Sequence, residues 1–139
     1  MPIEQLNRIT RRVEGVVAQL DCMHLQVLHL ECKCQCGVLC DETLAKMLNI
    51  YVDATSLHSR QGISSSEIAE LSGEKQRQQG VVSSHIASRQ CGCVLSASQS
   101  LALTRATEKL HATDRLVGLQ AKARGLIGDI AIVVAKYDM

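Results

Sequence analysis

Leu6, Ile9, Val13, Val16, Leu20, Met23, Val27, Leu30 and Cys34 follow one another at alternating spacings of 3 and 4 residues. An α-helix turns every ~3.6 residues, so such a stripe keeps one apolar face only when the helix lies along another helix. This pattern selects an all-α fold over any sheet, because strands bury alternate residues. A second stripe closes the sequence, with Leu116, Leu119, Ala123, Leu126, Ile130, Val133 and Tyr137 again stepping by 3 and 4. Both are read as interaction seams, which turn the chain toward a helical bundle or coiled-coil assembly with two long heptad-bearing terminal helices.

The breaks between the seams complete four helices, at about 2–34, 41–58, 64–90 and 96–137, within a single helical domain of 139 residues. Pro2 has the fixed φ that opens a helix, and Gly37 ends the first. Asp41 is placed to cap the second, whose apolar face is Leu44, Met47, Leu48, Tyr51 and Val52, and Gly62 closes that segment. Ser64 with Glu67, and Ser96 with Gln99, have the spacing of capping boxes for the third and fourth helices. The third is the weak element. Gly73 and Gly80 each cost about 1 kcal/mol relative to Ala, and the run from Glu74 to Gln79 is wholly polar, so fraying or a linker is expected there. Ile130 to Val134 is rich in β-branched residues, but the seam entering it from Leu116 favours helix over strand.

The surplus of apolar residues extends beyond one stripe. Leu25 and Leu28 on the first helix, and Val117, Ile127 and Val134 on the last, fall outside the seams, so each long helix wants more than one neighbour. With Phe and Trp absent and only Tyr51 and Tyr137 aromatic, the core is left to Leu, Ile, Val, Ala, Met and Cys. Thin aliphatic layers between helices suit that composition and leave little room for a deep small-molecule pocket.

Fifteen basic against 14 acidic side chains leave a net charge of +1, which argues against nucleic acid or an anionic membrane as partner. Arg8, Arg11 and Arg12 read as a solvated helix face rather than an anionic docking patch. No stretch approaches the ~20 apolar residues of a membrane span, and residues 1–20 lack the apolar core of a secretory signal, so a cytoplasmic location is expected.

The seven cysteines are the densest candidate chemistry. Cys32, Cys34, Cys36 and Cys40 lie within nine residues, Cys91 and Cys93 form a second Cys-x-Cys, and Cys22 stands apart. In an up-down-up-down bundle the first and third connections share one end, where six thiols would meet and offer soft ligands to Cu(I) or Zn(II). The spacing is not that of the common zinc knuckles, and free cysteine is most often a small packed hydrophobe. No metal or other cofactor is therefore assigned, and the thiol-rich, metal-binding bundle is the alternative reading. Glu108 and His111 have the Glu-x-x-His spacing of carboxylate-bridged metal bundles, but the only second pair is a loose one, Asp21 and His24. His29, His58 and His85 are isolated, and no nucleophile elbow, phosphate loop or dinucleotide fingerprint is present. The expectation is a non-enzymatic assembly protein of scaffold, adaptor or chaperone type, packing its helices with its own copies or with partner subunits.

Overall fold

The computed structural model describes residues 1–33, 40–92 and 94–137. Of these, 89% are helical, in α1 (Ile3–Cys32), α2 (Asp41–Gln61), α3 (Ser65–Gln90) and α4 (Ala97–Ala135). The expected all-α architecture is present, with every boundary within three residues of the sequence reading. No strand occurs among the described residues, and Ile130 to Val134 continues α4.

Burial follows the two stripes. On α1, Leu6, Ile9, Val13, Val16, Leu20 and Val27 are buried, while Met23 and Leu30 are half-buried. On α4, Leu116, Ala123, Leu126, Ile130 and Val133 are buried and Leu119 is half-buried. Cys34 and Gly37 lie outside the described residues. Much of the seam surface is therefore occupied by the chain's own helices.

Contacts divide the chain into two compact units, where the sequence reads as one domain. The first combines Met1–Thr10 with Ser64–Val117, that is, the opening turns of α1, the whole of α3 and the first half of α4. Its core is small and partly polar: Leu6, Ile9, Leu71, Ala106 and Leu116 with Thr10, Glu74 and Thr113. Thr10 and Thr113 satisfy their buried hydroxyls by donating to the carbonyls of Leu6 and Lys109, each at 2.8 Å, so neither carries an unpaired polar atom. The second unit, Arg11–Ile63 with Gly118–Met139, has an aliphatic core that includes Val13, Leu20, Val27, Met47, Leu57, Ala123 and Ile130.

The helix ends show which local signals were decisive. Ser64 and Glu67 form the expected box: the Glu67 amide donates to Ser64 Oγ at 3.2 Å, and the Ser64 amide to Glu67 Oε1 at 3.0 Å. Ser96 and Gln99 repeat it at 3.2 and 2.9 Å. At α2 the reading shifts by one residue. Asp41 lies in the first turn, while Cys40 is the N-cap; its thiol reaches Thr43 Oγ1 at 3.0 Å and makes no capping bond. Gly62 ends α2 with its amide on His58 O at 2.9 Å. A Cβ there would stand 2.4 Å from that oxygen, so the turn requires glycine because of close approach and not because of its extended φ.

The third helix departs from expectation. It runs unbroken through Gly73, Gly80 and the polar run between them. The reason lies in one buried carboxylate at the start of that run.

Candidate functional site: a polar node and an uncovered hairpin

Glu74, the first residue of the wholly polar run on α3, is 1% exposed. The Met1 ammonium donates to its Oε2 at 2.8 Å, Arg77 to the same oxygen at 2.5 Å, and Gln78 to Oε1 at 2.9 Å. Lys109 of α4 completes the set at 3.3 Å from Oε1. Burial alone would raise the carboxyl's pKa, but these donors outweigh it and hold it down to about 2. Gly73 and Gly80 are thus tolerated because tertiary contacts to α1 and α4, and not helix propensity, fix α3 at this point.

Beyond the node the unit changes character. Glu74 meets Lys109, Lys75 meets Asp114 at 3.4 Å, and six residues connect α3 to α4, so the two helices run antiparallel as a hairpin. The opening turns of α1 supply the third helix only as far as the node. Among the described residues from Lys75 to Arg105, none is buried. Val81, Val82, Leu95 and Leu103 are half-buried, and Ile86, Val94 and Leu101 are exposed. A groove of about 570 Å³ lies at this point, its walls Gln78 and Val81 on α3 and Ala102, Arg105 and Ala106 on α4, with Ile3, Glu4, Glu108 and Lys109 at the end nearest α1.

Charge is just as unevenly placed. Residues 75–107 contain Lys75, Arg77, Arg89 and Arg105 and no Asp or Glu at all. Lys75 and Arg77 are paired with Asp114 and Glu74. Arg89 and Arg105 are exposed and have no ionic partner among the described residues. A whole-chain charge of +1 conceals this, and a count of acidic residues in a sliding window would have exposed it.

The four described cysteines are not packed as small hydrophobes. Cys22, Cys32, Cys40 and Cys91 are all free and exposed, which corrects that reading for them; Cys34, Cys36 and Cys93 lie outside the described residues. Cys32 and Cys40 belong to the second unit and Cys91 to the first. Among the described residues no group of three or more His, Cys, Asp or Glu is arranged to hold a metal ion. Cys40 is nevertheless chemically distinct: the Thr43 hydroxyl beside it lowers its thiol pKa. Glu108 and His111 are exposed, and His85 Nδ1 is engaged with Val81 O at 2.7 Å.

In the second unit Leu25, Val52 and Ile132 remain exposed. Of the apolar residues outside the seams, Leu28 and Ile127 are half-buried, Val134 is buried and Val117 is exposed. Arg8, Arg11 and Arg12 are exposed, and Arg12 Nε donates to Gln61 O at 3.0 Å beside the end of α2. No described helix is long and apolar enough to cross a membrane. Comparison with protein-family models, with curated proteins and with solved structures finds no match to this chain.

Proposed function

We propose that this chain is a non-enzymatic helical assembly protein of the cytoplasm, acting by helix packing with protein partners in a homo- or hetero-oligomer. One observation carries the reading: large aliphatic side chains remain exposed on the helices after the stripes of α1 and α4 have been buried, among them Leu25, Val52, Leu101, Val117 and Ile132. Scattered exposed apolar residues are ordinary, but in units this small each additional neighbouring helix adds a large fraction to the buried area. The surfaces used by partners are those the stripes leave open, since Leu6, Leu20 and Ile130 are already inside. Sedimentation velocity on the purified chain, together with isolation of the native complex under mild conditions, tests this reading. A self-assembled species, or a stoichiometric protein partner, is expected. A chain that stays monomeric at high micromolar concentration and leaves its native source alone refutes it.

A further inference from the structure

We infer that the α3–α4 hairpin, residues 75–90 with 97–105, is a docking site for an acidic amphipathic helix of a partner protein, seated in the groove that begins where α1 starts. The inference rests on the assembly reading and names the surface and the partner's chemistry.

The shape comes first. Near the node, α1, α3 and α4 bury Leu6, Ile9, Leu71 and Ala106 between three helices. Farther along the hairpin, between Lys75 and Arg105, α3 and α4 bury no described residue. Two helices cannot enclose a side chain, whereas a third laid in their groove restores the packing found a few turns away. The sixteen residues of α3 from Lys75 to Gln90 extend ~24 Å at ~1.5 Å per residue, enough for a partner helix of about four to five turns. The apolar side chains it would cover are Val81, Ala102 and Ala106 in the groove, and the same two helices leave Ile86 and Leu101 at 46% and 50% exposure. This is helix-in-groove recognition, with anchors at i, i+3, i+4 and i+7.

Charge then selects among occupants. Residues 75–107 carry four cations and no anion, and Arg89 and Arg105 have no ionic partner among the described residues. A partner helix with carboxylates flanking its apolar stripe is complementary to both. A second copy's hairpin would bring two more unpaired cations, its own Arg89 and Arg105, and no carboxylate, which is repulsive at the same positions. A nucleic acid fits poorly, because only two cations are unpaired, the carboxylates of Glu4 and Glu108 line the groove, and residues 75–107 contain no aromatic side chain on which a base would stack. Glu4 and Glu108 at the end nearest α1 add a polarity: the partner's carboxylates belong toward Arg105 and Arg89, and its end at Glu4 should carry none.

The test uses the full chain and two synthetic helical peptides of about 20 residues (~30 Å) with the same leucine stripe, one flanked by Glu and one by Lys. Fluorescence anisotropy at about 0.1 M salt, where charges interact over ~10 Å, should show the Glu peptide binding about tenfold or more tighter than the Lys peptide. The double variant Arg89→Glu with Arg105→Glu should reverse that preference, and Leu101→Asp should weaken both peptides, with circular dichroism showing an unchanged helix content in each variant. Leu101 is half exposed, so its substitution leaves the fold intact. Equal affinity for the two peptides, a preference unmoved by charge reversal, tighter binding of a single-stranded RNA of similar length, or self-association that the double variant abolishes would each overturn the assignment. A native partner that remains bound to the double variant also removes this surface while leaving the assembly reading standing, so the two failures are separable.

Discussion

Replacing Glu74 with Gln isolates the interaction that holds α3 straight. The carboxyl's pKa falls from an ordinary 4.5 to about 2 in the folded chain, and at about 1.4 kcal/mol per unit this corresponds to about 3 kcal/mol of stability tied to its ionised form. The direction follows from the depressed value: the stabilisation is fully present above about pH 4.5 and is lost as pH falls toward 2. Glu74→Gln keeps the shape and one acceptor but removes the charge. Arg77, 63% exposed, can return to water, and Lys109, 27% exposed, partly so. The Met1 ammonium is only part-buried, its side chain 1% exposed but the residue as a whole half-buried, so it loses its counter-ion with partial access to water. A loss of about 2–3 kcal/mol at pH 7 is expected. Urea unfolding monitored by circular dichroism measures it, with hydrogen exchange of the α3 amides to separate the first unit from the second. The gap between the two proteins should shrink as pH falls from about 4.5 toward 2, because the parent then approaches the variant's protonation state. A gap constant across that window, or no gap at neutral pH, would refute the reasoning.

Leu20 is fully buried and Arg11 is exposed on the same helix, so Leu20→Asp should cost about 4 kcal/mol or more while Arg11→Asp shifts stability by only a few tenths; equal thermal midpoints would reject the burial register of α1. Gly62→Ala forces a Cβ against His58 O and should destabilise by about 1–3 kcal/mol, whereas Gly80→Ala meets nothing within 4 Å and should stabilise by up to about 1 kcal/mol; denaturant midpoints of the two variants read this opposite sign. The Thr43 hydroxyl lowers the pKa of the Cys40 thiol, so Thr43→Ala should slow alkylation of Cys40 by iodoacetamide near pH 7, as followed by peptide mass spectrometry.

The helices were legible because their information is local. A 3-4 stripe encodes which face is covered, and Ser64–Glu67 and Ser96–Gln99 encode where a helix begins. Neither encodes which helix covers the stripe. The short turn at Gly62, with Arg12 donating to Gln61 O, ends the α2 segment inside the second unit. From Ser64 onward α3 contributes to the first. An even four-helix bundle, and with it one pole of six thiols, does not follow from helix boundaries alone. The continuity of α3 was hidden for a related reason: the partners of Glu74 lie 73 residues back at Met1 and 35 ahead at Lys109, beyond the reach of any window-based propensity. The N-cap of α2 moved from Asp41 to Cys40 because capping is decided by backbone conformation, and residue preference only biases it.

The candidate surface was legible only in part, because averaging removed it. Residues 41–74 hold Asp41, Glu42, Asp53, Glu67, Glu70 and Glu74 against Lys46 and Arg60, a net of −4; residues 75–107 hold four cations and no anion, a net of +4. These cancel in the total, so the near-neutral chain looked electrostatically featureless. The cancellation has a physical consequence. Polar Gln, Ser and Thr residues interleave the exposed aliphatic side chains of residues 75–107, and in the docking proposed above the unpaired like charges there would disfavour a second hairpin on the same surface. A carboxylate placed among them, for example at Arg89, would weaken that repulsion and create a complementary site for the hairpin of another copy. Specificity in the proposed docking would thus reside in the absence of acidic residues from 75–107 as much as in the presence of Arg89 and Arg105.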